Sequence, residues 1–325
     1  MAKSSSVSNK DNKDSNYNTL VLDIGNSDIK GEINGEQFTL PSNYSQWCGA
    51  NNLELRGMRA PFDGFSVYDY NNNPAEEQFK FSPLGGKRLL GDGDKLLRYK
   101  NIVQGCCGAI KSDAPWKVVL SYWNPAKLNL LPQLLKGTHS VMVNGVDNQF
   151  TVDQVIGVAE GAGAHALYRK EGAGTFVTVD IGYNTLIFRS TSDAGVMEHH
   201  TEPKVGVCEI VSYIQKSPAL VKQAGTGITD RAVIEAIKSR GILRNNQREI
   251  PDIDISPLIK SASANWMEGP LSKLVQEFSA DVNQASAIWL IGGGANLLRE
   301  FTQGTNIHVP ADPGFTNLAG MSTFL

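Results

Sequence analysis

Apolar and polar positions along this chain fall into short runs that follow the same order twice. In the first half, residues 19–23 predict a strand and 28–33 a second. Asn34-Gly35 offers two positions tolerant of positive φ, so 36–40 is expected to return as a hairpin. In the second half, 176–180 and 185–189 repeat the pair, and a turn through 192–195 leads into a third run at 196–199. Each meander is followed by further strands and helix-period segments. Residues 116–122 read as a strand; Asn124 and Pro125 then open a helix whose Leu128, Leu131 and Leu135 share a face until Gly137. Pro132, inside that helix, is expected to kink or shorten it. Residues 140–143 and 149–152 predict a hairpin around Asn144-Gly145, with 155–158 as a separate apolar run. Later, Val207, Ile210, Val211 and Ile214 form one helical stripe and 229–240 a second helix, while Pro257 and Pro270 each open another. A strand at 287–291, a short helix at 295–301, a strand at 307–309 and a closing segment at 317–324 complete the pattern.

A meander followed by helix, strand, helix and strand, executed twice, predicts an α/β protein of two ribonuclease-H-like lobes with a cleft between them. The first lobe is expected to span 18–175 plus 314–325, and the second 176–313. Residues 1–17 are rich in Ser, Asn, Asp and Lys and read as a disordered tail. Residues 42–111, Asn- and Gly-rich with weak periodicity, read as an inserted subdomain separate from the first sheet. Within that insert, Asp92 and Asp94 read as part of a solvated turn.

Composition narrows the partners. At 325 residues, with 41% hydrophobic and 19% charged positions, the chain can bury a sizeable core. A net charge of −3 supplies no basic field for gripping nucleic acid directly. No apolar run is long enough for a membrane span, and the four cysteines form no C-x-x-C pair, which fits a reducing cytoplasm. Adjacent Cys106 and Cys107 read as small buried residues.

The chemistry sits where the two meanders turn. In Asp23-Ile24-Gly25-Asn26-Ser27-Asp28-Ile29-Lys30, Gly25 lets the backbone approach an anion, and Asn26 and Ser27 add donors. Lys30 can place a point charge on phosphate, and Asp23 can hold Mg²⁺ through water. Asp180-Ile181-Gly182-Tyr183-Asn184-Thr185 repeats the geometry, with Asp180 as the second metal carboxylate and Gly182, Asn184 and Thr185 as phosphate contacts. Tyr183 is bulky for a phosphate-wrapping turn and must direct its side chain outward. Behind a third strand, Gly292, Gly293, Gly294 and Ala295 can take the nucleoside end. Together these residues predict an interlobe nucleotide cleft for a triphosphate and its metal.

The ordered set resembles the ATPase superfamily of actin, the sugar kinases and the heat-shock chaperones, and within it the ParM-type actin-like proteins of plasmid segregation and their archaeal relatives. The resemblance covers roughly 18–325 and also rests on Gly206 at a helix start, the 155–164 connector and the terminal Asn317–Met321 segment. It implies ATP or GTP with Mg²⁺ between the lobes, and slow hydrolysis by Asp23, Asp180 and Glu160. Glu160 matches the position of the Glu or Gln that orients the attacking water. It further implies head-to-tail filaments in plasmid or DNA segregation or a bacterial cytoskeleton, with a DNA-binding adaptor as partner. The helix at 229–240 should supply ribose or base contacts, leaving open a choice among Asp230, Arg231 and Glu235, whose charges otherwise read as a solvated face. An alternative within the superfamily is a small-molecule kinase similar to type III pantothenate kinases, whose first phosphate loop Asp23–Lys30 also resembles.

Overall fold

Two sheets, each begun by a three-stranded meander, organise the chain. The computed structural model describes residues 16–25, 27–47, 59–71, 78–81, 87–88, 92–170, 174–192, 194–224, 227–239, 241–244 and 252–325. Asn26 and residues 1–15 of the expected tail lie outside the described residues.

The first meander is β1 (Asn18–Ile24), β2 (Asp28–Ile33) and β3 (Glu36–Pro41). Asn34 and Gly35 sit at φ 49° and 86°, the left-handed pair that a two-residue hairpin requires. The β1–β2 register places Asp23 opposite Lys30. Four strands follow: β4 (Asn43–Trp47), β5 (Phe65–Asp69), β6 (Gln78–Phe81) and β7 (Lys87–Arg88). Then come β8 (Trp116–Tyr122), β9 (Gly137–Val143) and β10 (Val146–Ala159). The sheet order is β3-β2-β1-β8-β10-β9-β5-β6-β4-β7.

That order corrects the expectation for 42–111. Its strands continue the first sheet, because β5 pairs with the edge of β9 through Val67↔Val143. Phe65 and Val67 of β5, and Phe79 and Phe81 of β6, sit at alternate positions of their strands and pack in the first core, with Phe65, Val67 and Phe81 wholly buried. This period-two signal was present but diluted by the Asn- and Gly-rich turns around it. Asp92 and Asp94 do not form a turn: they begin helix α1 (Asp92–Gly108). Tyr99, Ile102, Val103, Cys106 and Cys107 recur at helical spacing along α1 and are buried in the first core. The two thiols are free, and burial pushes both well above the ordinary thiol range.

Two further expectations change in detail. Asn124 caps a single 3₁₀ turn, Pro125–Lys127, and α2 (Leu130–Leu135) starts anew with Pro132 in its first turn, where no amide is needed. The runs at 149–152 and 155–158 are one strand, β10. A register shift between Val152 and Gln154 breaks the alternation, so that Phe150, Val152 and Val155 face the first core while Val158 packs with Leu318 and Met321 on the other side, and one strand looks like two.

The second sheet has the order β13-β12-β11-β16-β17. Its meander is β11 (Phe176–Ile181), β12 (Thr185–Ser192) and β13 (Gly195–Pro203). A two-stranded ribbon, β14 (Ile242–Leu243) and β15 (Ile253–Asp254), precedes the parallel strands β16 (Ala287–Ile291) and β17 (Ile307–His308). The parallel neighbour of β11 is β16, just as β8 is the parallel neighbour of β1. The duplication read from the sequence is therefore a duplication of topology.

Helix α3 (Ala162–Lys170) carries the chain from the first sheet to the second. Around the second sheet lie α4 (Val207–Gln215), α5 (Pro218–Ala224), α6 (Asp230–Lys238), α7 (Ser256–Trp266), α8 (Ser272–Glu277) and α9 (Ser279–Gln284). Pro270 does not open a helix as expected. It lies inside a π turn, Met267–Leu271, that joins α7 to α8, where the wider turn accommodates its missing N–H. The segment 295–301 is a 3₁₀ helix, Ala295–Thr302. Finally α10 (Thr316–Met321) returns to the first sheet, packing Leu318 and Met321 on Val21, Val119 and Val158.

Candidate functional site

Both meanders turn in the same way at their tips. The Gly25 amide donates to the Asp28 carbonyl at 3.0 Å, and the Gly182 amide to the Thr185 carbonyl at 2.9 Å. Each turn presents the aspartate that ends the preceding apolar run, Asp23 or Asp180, to the space between the sheets. That space is a cleft of about 910 Å³, counting the part open to solvent, within the range of small-molecule sites.

Asp23, Gly25, Ser27, Lys30, Glu160, Asp180, Gly182, Thr185, Gly292, Gly293 and Gly294 all line the cleft. Three other predicted residues do not. Gly206 lies behind the second loop, where a Cβ would come within 2.4 Å of the Gly182 carbonyl oxygen. Its absence lets the first amides of α4, at Val207 and Cys208, donate to the Gly182 and Tyr183 carbonyls at 3.0 and 2.8 Å. Asn184 faces away, its carbonyl accepting from the Lys204 amide at 2.6 Å. Ala295 is fully buried in the second core. These three support the loops from outside the cleft.

Each carboxylate has its own support. Ser121 of β8, itself buried, donates its hydroxyl to Asp23 Oδ1 at 2.6 Å. Asp180 occupies space made by a glycine: at Gly292, φ 83°, a Cβ would sit 2.2 Å from Asp180 Oδ1. Burial, and then the nearby charge of Asp23, push the Asp180 carboxyl up to about 6, against the opposing influence of Lys30 and Arg189. A carboxylate crowded in this way is poised to accept a cation.

Among the described residues, no group of three or more His, Cys, Asp or Glu side chains is placed to cage a metal. Two carboxylates opening on one cleft, with Lys30 and two glycine turns beside them, fit a hard divalent ion instead. Such an ion keeps much of its water and shares oxygens with a polyanion. The glycine positions fit the polyanion as well, since Gly293 has no heavy atom within 4 Å of where a Cβ would lie.

Sequence reasoning missed part of the lining. Asp28 and Lys238 both line the cleft and join the two lobes, Lys238 Nζ lying 3.0 Å from Asp28 Oδ1. Helix α6 gives the cleft Ile234, Ile237 and Lys238, and none of Asp230, Arg231 or Glu235. Arg231 and Glu235 pair with each other on the exposed side at 2.8 Å, an i,i+4 spacing that was legible as a solvated face. Asp230 accepts the Tyr183 hydroxyl and, at 3.1 Å, the Gln215 side-chain amide. Tyr183 is thus accommodated by reaching sideways to α6 along the cleft wall. Asn317 also lines the cleft, and its Oδ1 accepts from the Gly163 and Ala164 amides at the start of α3.

No protein-family model matches the sequence, and no curated protein matches it. Solved structures do resemble the fold. An archaeal actin homologue, Ta0583, is 15% identical with a TM-score of 0.72, covering 94% of this chain and 98% of its own. That protein has also been solved in complex with ADP. A ParM from a 15-stranded filament of Clostridium botulinum is 16% identical with a TM-score of 0.73, covering 95% and 99%. The actin-like protein Alp7A is 16% identical with a TM-score of 0.69, covering 94% and 95%. With end-to-end coverage of these proteins and a cleft lined from both sheets, the chain has the two-lobed actin-like fold, close in form to ParM-type proteins.

Proposed function

We propose that this protein is an ATP- or GTP-dependent filament-forming ATPase of the cytoplasm, acting in plasmid or DNA segregation or as a bacterial cytoskeletal element. The observation that carries the reading is the pair of equivalent turns, ending in Asp23 and Asp180, that face one cleft beside Lys30 and the Gly292–Gly294 run. The ADP complex of the archaeal homologue and the filament formed by the clostridial ParM support it by analogy of fold.

In this reading Asp23 and Asp180 hold a Mg²⁺ ion, which supplies charge neutralisation for the triphosphate when bound. Lys30 and the backbone amides of the two glycine turns bind the phosphates. Ser121 fixes the rotamer of Asp23. Glu160, at the end of β10, orients the water that attacks the terminal phosphate. The apolar patch of Val207, Ile234, Ile237 and Leu297 receives the base. The partners are further copies of the chain, in a heterologous head-to-tail contact, and a DNA-binding adaptor, because a net charge of −3 gives little purchase on DNA.

The test is sedimentation of the purified protein with ATP or GTP and Mg²⁺. The expected result is a pelletable fraction that appears above a critical concentration and disappears when magnesium is chelated. A protein that stays monomeric with every triphosphate, and instead phosphorylates a small alcohol, would establish the kinase alternative.

A further inference from the structure

Glu160 is held by its main chain between the two lobes. Its amide donates to the Tyr122 carbonyl of β8 at 3.1 Å, which ties it to the first sheet. Its carbonyl accepts from Arg189 Nη2 of β12 at 2.7 Å, which ties it to the second. Arg189 was not among the residues singled out by the sequence, and it does not line the cleft.

Three features mark Arg189 as more than a chance contact. Its side chain is buried, with 4% of its surface exposed, an uncommon place for an arginine. Its guanidinium lies beside Gly161, 3.7 Å from where a Cβ would be, at the φ 82° turn by which the chain leaves β10 for α3. It also faces the site's acids: burial lowers its pKa, while Asp180 and then Glu160 act to raise it. Its cross-strand neighbour His199 and the α3 residue His165 are both disfavoured as cations, first by burial and then by the Arg189 charge. Arg189 Nε has no hydrogen-bond partner among the described residues, so the Glu160 carbonyl is a principal recipient of its donors.

We propose that Arg189 is a positioning residue that sets the placement of Glu160 through its main-chain carbonyl and makes that placement depend on how the two lobes sit. The inference rests on the reading of Glu160 given above. A residue bracketed by one hydrogen bond from each sheet moves whenever the sheets move relative to each other. Its carboxylate is then correctly aimed at only one degree of closure. Removing the Arg189 bond frees the 160–161 turn and takes no hydrogen bond from the groups assigned to metal and phosphate, while Arg189→Lys keeps the charge that acts on Asp180 and so separates the two effects.

The test is a double-mutant cycle on Arg189→Gln and Glu160→Ala, with MgATP affinity measured by calorimetry and hydrolysis by phosphate release. Arg189→Gln is expected to slow hydrolysis by at least about tenfold, since small misplacements of a reacting group have large effects on rate. MgATP affinity should stay within about threefold of wild type. On the Glu160→Ala background the same substitution should add almost nothing, because the residue it positions is gone. Arg189→Lys, which keeps the charge and one donor, should recover part of the rate; it carries the test alone if Arg189→Gln fails to fold. Wild-type hydrolysis by Arg189→Gln would overturn the proposal. So would equal losses of affinity and rate in both Arg189 variants, or a full additional loss on the Glu160→Ala background. Wild-type hydrolysis by Glu160→Ala alone would instead remove the catalytic reading of Glu160, a separate failure from that of Arg189.

Discussion

Replacing Asp180 with Asn is expected to stabilise the nucleotide-free protein in alkaline buffer and to have no such effect in acid. The Asp180 carboxyl is raised from its ordinary 3.8 to about 6, first by burial and then by Asp23. A raised pKa means that the folded protein prefers the protonated form. The stabilising contribution is therefore full below 3.8 and is lost as pH rises through about 6. Above that, the wild type carries an ionised carboxylate held against a second one. The full linkage energy across this interval is about 3 kcal/mol. Asp180 keeps part of its surface open to the cleft, where water screens the charge, so the gain on removing it is about 1–2 kcal/mol. Urea unfolding near pH 8 should show Asp180→Asn with a higher midpoint and an unchanged m value. Below about pH 3.5 the two proteins should unfold together. Equal stability at pH 8, or a gain that persists in acid, would refute the electrostatic argument.

Three other substitutions probe the supports of the site. Gly292→Ala places a methyl 2.2 Å from Asp180 Oδ1 on a backbone at φ 83°. It should lower the unfolding free energy by about 1–3 kcal/mol, with a denaturation curve as the check. Ser121→Ala removes the 2.6 Å hydrogen bond to Asp23, one made to a charged group. Calorimetry should register a loss of about tenfold in Mg-triphosphate affinity, equivalent to about 1.4 kcal/mol. Lys238→Ala breaks a half-exposed ion pair between the lobes. Thermal stability should move by less than about 1 kcal/mol, while release of a fluorescent nucleotide in stopped flow should speed up.

Much of the architecture was legible because local signals agreed with the global fold. Strands 28–33, 116–122 and 287–291 emerge with the bounds the apolar runs implied, as β2, β8 and β16. The repeated Asp-x-Gly turns were legible because in each an apolar run ends in an aspartate and then a glycine, at the point where a Cβ would crowd the returning strand, 3.0 Å from the Asp28 carbonyl oxygen at Gly25 and 3.1 Å from Thr185 Oγ1 at Gly182. What escaped has physical causes. The α1 stripe of Tyr99, Ile102, Val103, Cys106 and Cys107 is interrupted by Asn101, Gln104 and Gly105, so composition outweighed period. The bulge in β10 disguised one long strand as two. Ser121 reaches Asp23 from the neighbouring strand of the first sheet and Arg189 reaches Glu160 from the second sheet, over separations of 98 and 29 residues, and no local pattern reports such contacts. The inward face of α6 was mistaken for a polar one because its charged residues were weighed and its isoleucines were not.

The central claim is that Asp23 and Asp180 together receive one metal–triphosphate complex, and titration calorimetry tests it most directly. Wild-type protein should bind ATP or GTP with Mg²⁺ at least about tenfold more tightly than without it, a gap of about 1.4 kcal/mol. Asp23→Ala and Asp180→Ala should each abolish that gap while retaining cooperative unfolding. Equal affinity with and without magnesium in the wild type, or an undiminished magnesium effect in either variant, would contradict the account.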